Sequence, residues 1–158
     1  MKRILSLFLL LPLLAACTAT KNTRQMTEAD INRIVFSTVD EARFLALDRE
    51  DIEFLLSISP DDCQKAWVWL DKSGTTIDEI AFFVAKEETA DSLYQKLENY
   101  VLSCQADKKE WLESYNPSEA IKLQNGNLFR HGNCMGYIFL NEREQQALLS
   151  EIRDFCSA

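Results

Sequence analysis

Apolar residues along this chain fall into two rhythms, one of three and four positions and one of two, and the two alternate. Thr27-Glu28-Ala29-Asp30 reads as a capping arrangement, with acids in the first turn where the helix dipole favours them. Ile31, Ile34 and Val35 follow at helical spacing and predict a helix over 27–39, with a less regular continuation through Phe44, Leu45 and Leu47. Asp48 opens a second short helix containing Phe54, Leu55 and Leu56 that ends near Ser59-Pro60. The rhythm then changes. Ala66-Trp67-Val68-Trp69-Leu70 is rich in strand formers and predicts a strand over 63–70, punctuated by Lys72-Ser73-Gly74. A second strand runs over 77–85, with Ile80, Phe82 and Val84 on one face and Ala81, Phe83 and Ala85 on the other. The short polar link predicts an antiparallel hairpin.

The helical rhythm returns over 87–114, where Leu93, Leu97, Tyr100, Val101 and Cys104 form one stripe, and Trp111, Leu112 and Tyr115 extend it to Asn116-Pro117. Residues 118–124 read as a short helix with Gly126 just past its end, or Asn125-Gly126 reads as a hairpin turn. Next come a strand over 127–130, a turn at His131-Gly132-Asn133 and a buried strand over 135–140. A last helix over 141–155 turns Leu148, Leu149, Ile152, Phe155 and Cys156 inward. Together these predict an α+β fold: an antiparallel sheet of about four strands in ββαββα order, helices packed on it, and one or two helices before it.

The opening of the chain obeys neither rhythm. Lys2 and Arg3 precede an apolar run, Ile4 to Leu14, and then Leu14-Ala15-Ala16-Cys17. The run is shorter than the roughly 20 residues a membrane-spanning helix needs, and it fits the apolar core of a removable signal. Small residues directly before a cysteine match a bacterial lipoprotein signal. On this reading residues 1–16 are removed, Cys17 receives lipid, 17–26 form a polar tether and 27–158 form one α+β domain. A plain secretory signal and an uncleaved anchor are the alternatives. The expected address is the cell envelope, at the outer face of the cytoplasmic membrane, or the outer membrane where the source has one.

Several segments carry a resemblance. Asp78-Glu79-Ile80-Ala81-Phe82-Phe83-Val84-Ala85-Lys86, the long helix after it, Tyr115-Asn116-Pro117, and Gly126 through Gly132-Asn133 to Tyr137-Ile138-Phe139-Leu140 are similar to the bacterial lipoproteins grouped as domain of unknown function 4358. The similarity covers roughly residues 27–156. It implies an anchored address and a fold, and no active residues. Leu56-Ser57-Ile58-Ser59-Pro60 stands where that family has a glycine-containing turn, and the four later cysteines depart from its pattern.

Charge narrows the partners. The 158 residues carry a formal charge of −8. Removal of 1–16 takes Lys2 and Arg3 and no acid, which leaves −10. Such a chain lacks the cationic surface that dominates non-specific nucleic-acid binding, so no nucleic-acid partner is expected. Of five cysteines, assigning Cys17 to lipid leaves Cys63, Cys104, Cys134 and Cys156, an even set. Cys63 and Cys134 each open a predicted strand, and Cys104 and Cys156 lie on apolar helix faces. The expected bridges are Cys63–Cys134 and Cys104–Cys156, with free buried thiols as the alternative.

Catalytic signatures are missing from the sequence. No G-x-S-x-G occurs, His131 is the only histidine and sits in a predicted turn, and the four glycines form no phosphate loop. The acidic pairs Asp61-Asp62, Asp78-Glu79 and Glu87-Glu88 read as solvated charge and helix caps. No metal site and no cofactor are expected. Aromatic residues are the one binding signal: Trp67 and Trp69 share a strand face, read together with Phe83, Tyr137 and Phe139 on neighbouring strands. Helices over both sheet faces would bury them; an open groove would bind a ligand. The expected function is a non-enzymatic accessory or protein-binding module of the envelope. A small-ligand carrier using the Trp67 and Trp69 face comes second and a hydrolase last.

Overall fold

A computed structural model describes residues 26–157. The signal, Cys17 and most of the tether lie outside them. Met26, read as the last tether residue, is already buried in the core, and its carbonyl accepts from Lys65 Nζ at 2.9 Å.

The fold is α+β, with one antiparallel sheet sandwiched between two layers of helices. In chain order the elements are α1 (Glu28–Phe36), β1 (Phe44–Ala46), α2 (Arg49–Leu56), β2 (Cys63–Asp71), β3 (Glu79–Ala85), α3 (Ala90–Tyr115), α4 (Pro117–Gln124), β4 (Asn127–His131), β5 (Cys134–Phe139) and α5 (Glu142–Ser157). The sheet runs β1-β2-β3-β5-β4. It has five strands where about four were expected, and α4 and β1 stand outside the ββαββα order. The addition is β1, which pairs Phe44, Leu45 and Ala46 with Asp71, Leu70 and Trp69. Three residues are too few to show a period, so this stretch reads as a ragged helix end. Locally, the helix stops because Ser37 and Thr38 turn their hydroxyls back onto the Ile34 and Val35 carbonyls. Asp40 then caps a short 3₁₀ turn that swings the chain onto the sheet edge.

Helix starts follow the expected chemistry. Thr27 and Asp30 form a capping box, Asp48 accepts from Asp51 N at 2.9 Å, and Pro117 opens α4. Gly132, at φ 63°, takes the first of two loop positions between His131 and Cys134, where a tight hairpin demands a left-handed residue. Gly136 answers a different need: a Cβ there would sit 1.9 Å from the Ala81 carbonyl oxygen.

The two sheet faces bury separate clusters. Val68, Ala81, Phe83, Ala85, Tyr137 and Phe139 meet α2, α3 and α4. Trp69, Ile80, Phe82, Val84 and Ile138 meet α1 and α5, with Trp67 partly buried at the margin. The alternation along β3 is as predicted. The aromatic grouping is corrected: Phe83, Tyr137 and Phe139 face away from Trp67 and Trp69, whose ring neighbours are Phe82 and Phe36. With 26 residues, α3 is about 39 Å long and outruns the strands. Its inward residues Leu93, Leu97, Val101 and Cys104 lie on the sheet, while its last turns are braced by α4 through a Gln105 Nε2 bond to the Leu123 carbonyl.

Candidate functional site

β2 is nine residues long and β1 only three, so β2 outruns its neighbour. β1 covers Trp69 to Asp71, and Leu47 N donates to the Val68 carbonyl at 2.9 Å. Beyond that bond the outer edge of β2 faces a groove. Backbone groups of alternate strand residues point the same way. The parity that aims the Val68 carbonyl at Leu47 therefore aims the Ala66 N–H and carbonyl into this groove.

The groove consists of two adjoining hollows of about 320 and 360 Å³ that share Glu28, Leu47, Ala66 and Trp67. Asn32 and Phe36 of α1 form one wall, and Phe44 and Ala46 of β1 close one end. Arg49 and Ile52 of α2 and Lys65 of β2 line the other end. Its rim is charged, with Glu41 toward β1, Arg49 and Lys65 toward α2, and Glu28 on the rim of both hollows. Lys65 Nζ also lies 5.9 Å from the Trp67 ring centroid. The two tryptophans part company here. Trp67 stays half-buried and lines both hollows. Trp69 is 5 % exposed, packed edge-on under Phe36 at 5.8 Å. Trp69 nonetheless lines the hollow bounded by β1.

A second, more polar cleft of about 730 Å³ lies between the end of α1 and the start of α5, lined by Ser37, Thr38, Asn141, Arg143, Glu144 and Glu151 among others. Asn141 caps α5 there by accepting from Glu144 N.

The acidic pairs divide. Glu87 and Glu88 are exposed before α3, and Asp61 is solvated. Asp62 is tied to Lys96 Nζ at 2.7 Å and to Ser59 N. Asp78 and Glu79 are both buried, which corrects their reading as solvated charge. Being adjacent on a strand, they point opposite ways. Asp78 pairs with Arg43 and with Lys122 at 2.7 Å; Arg43 also holds Glu144, and Lys122 holds Glu119 at 2.8 Å. This network stitches the segment before β1 to β3, α4 and α5. Glu79 instead enters the core beneath α3, where Tyr137 donates a short hydrogen bond to it and Tyr100 donates at 3.1 Å. Burial pushes the Glu79 carboxyl above its usual range, against the pull of both phenols, and burial also raises both tyrosines. Neither hollow of the groove nor the polar cleft includes Glu79 among its lining residues.

The four cysteines are free. The bridges Cys63–Cys134 and Cys104–Cys156 are not formed, because each would cross the sheet: Cys63 and Cys104 lie on the α2–α3–α4 face, Cys134 and Cys156 on the other. A bulge explains the error. Cys63 pairs with Ala85 and Lys65 with Val84, so Gln64 is an extra residue that flips Cys63 to the face opposite Trp67. His131 is the half-buried last residue of β4, opposite Cys134. Among the described residues no group of three or more His, Cys, Asp or Glu is arranged to hold a metal ion, and no helix is long and apolar enough to cross a membrane.

Sequence reasoning singled out Trp67 but missed its partners in the groove. The short β1 hid the free edge of β2, and Ala66 carries no side-chain signal. No family model, curated protein or solved structure matches this chain. The resemblance to the lipoproteins of domain of unknown function 4358 therefore rests on the quoted segments alone.

Proposed function

We propose that this chain is a lipid-anchored envelope protein whose domain acts as a non-enzymatic binding module, taking an extended segment of a partner protein into the groove between α1 and the β1–β2 edge. The observation that carries it is the mismatch of strand lengths, which leaves the Ala66 backbone groups facing a groove lined by Trp67 and by both apolar and charged side chains. An extended segment laid there adds a strand to the sheet: main-chain hydrogen bonds hold it, and the walls select alternate side chains. The rim favours a segment with a basic residue at the β1 end, near Glu41, and an acidic one toward Arg49 and Lys65.

The anchor fits the geometry. Glu28 lies two residues after Met26, so the groove sits at the end of the domain where the tether enters. Eight residues separate Cys17 from Met26. Even fully extended they reach about 30 Å, which keeps the groove near the bilayer surface. Two acyl chains suffice for stable attachment. Cys17→Ala should abolish labelling by a fatty-acid analogue; persistent labelling refutes the anchor.

The groove is tested by photocrosslinking in intact cells from positions 32 and 47, with exposed Leu102 on α3 as the control site. The reading expects one discrete adduct from both groove positions, none from 102, and loss of the adduct in Ala66→Pro, which removes an edge donor. No adduct, or equal adducts from all three sites, overturns it.

A further inference from the structure

Cys134 opens β5, and Cys156 lies in the last turn of α5, the helix that packs against that strand. Cys134 belongs to the cluster beneath α1 and α5 and Cys156 packs against that cluster; because α5 follows β5 directly and runs back over it, its last turn returns to the start of the strand. The other two thiols lie across the sheet in the opposite cluster. Cys134 is buried, whereas Cys156 is partly exposed. One sulfur of the pair can thus be reached from solvent and the other waits behind it.

We propose that Cys134 and Cys156 are joined in the exported chain by a disulfide that staples the end of α5 to the sheet. This rests on the extracytoplasmic address proposed above, since bridges persist in oxidising compartments. The step is thiol–disulfide exchange with an oxidised disulfide, either a protein oxidant or a small-molecule one. The Cys156 thiolate attacks one sulfur of the oxidant and displaces its other sulfur as a thiolate. Cys134, as thiolate, then attacks the mixed bond at the Cys156 sulfur and releases the second. Two S–H bonds are lost and one S–S bond forms; two electrons and two protons end on the oxidant as two thiols. The neighbouring Cys134 thiol holds the Cys156 thiol below its usual range and keeps its own proton, which suits Cys156 to the first attack. Cys63 and Cys104 are both raised by burial.

The test is a non-reducing tryptic map of the full-length chain, taken from cells after acid quenching and thiol alkylation. The expected product is the peptide His131–Arg143 linked to Asp154–Ala158, with Cys63 and Cys104 alkylated. Reduction should lower Tm by roughly 5–10 °C. Cys63→Ser with Cys104→Ser should keep the linked peptide, and Cys156→Ser should abolish it. A second arm treats the reduced, purified chain with oxidised glutathione. Linkage there but not in cells upholds the pair and defeats the extracytoplasmic address. Linkage in neither arm, or a bridge from Cys134 to Cys63 or Cys104, overturns the proposal.

Discussion

The two faces of the sheet receive the same alternating strands and end up differently. On one, α2, α3 and α4 seal the surface so well that a carboxylate, Glu79, sits among Tyr100 and Tyr137 without contact with either described hollow or the polar cleft. On the other, α1 and α5 cover the centre, but nine-residue α1 leaves the corner beyond β1 uncovered, and the groove opens there and runs round the β2 edge to Arg49 and Ile52 of α2. Strand pattern decides that a side chain points inward; the number and length of the covering helices decide whether it is sealed. The stability of this molecule should therefore be concentrated on the α3 face and its recognition on the α1 face.

The largest contrast comes from deleting one ring on each face. Phe83→Ala removes a fully buried ring from the sealed face and should cost about 3–5 kcal/mol in chemical denaturation. Trp67→Ala, at the groove, should cost only about 1–2 kcal/mol while abolishing the crosslinked adduct. Equal costs would erase the distinction between the faces.

Glu79 sharpens the comparison at an intermediate scale. Its carboxyl is raised in the folded chain, so the fold prefers the protonated form. That contribution is fully present below the ordinary value near 4.5 and is lost as pH rises through the folded value. Glu79→Gln keeps an acceptor for the phenols without the charge. Its thermal midpoint should exceed that of the parent at pH 8, and the two should converge as pH falls below 4.5. Glu79→Ala, which strands two buried hydroxyls, should instead cost about 2–3 kcal/mol. A parent midpoint equal to that of Glu79→Gln at pH 8 would mean that the carboxylate is well solvated and the face is not sealed.

The smallest effect is at the end of α2. Ser57 holds a left-handed backbone, φ 54°, as the helix cap. Ser57→Gly should gain about 0.5–1 kcal/mol by relieving the Cβ penalty, with no change in crosslinking at the groove.

Much of this was legible beforehand for a physical reason. Long amphipathic stretches such as 93–104 and the alternation of Ile80 to Ala85 repeat often enough to state their period. What stayed hidden has too little sequence to carry a pattern or depends on parity across strands. Phe44-Leu45-Ala46 is one such case. Gln64 is another, since a single bulged residue reverses the face of Cys63 and with it the expected Cys63–Cys134 pairing. Asp78-Glu79 looks solvated until Arg43, Lys122, Tyr100 and Tyr137 are brought from distant segments to meet it.

The overhang of α3 has a consequence for motion. Up to Cys104 its amides are anchored over the sheet, and from Asp107 onward they depend on α4 and on the stacked, exposed pair Trp111 and Tyr115. One continuous helix should therefore carry two rates of amide hydrogen exchange, slow through Leu97 and Val101 and faster through Glu110 to Ser114. Opening of the far half would expose Leu112, which is buried in the same core cluster as the sheet, and would loosen α4, whose Glu119 and Lys122 hold Ile77 and Asp78 just before β3.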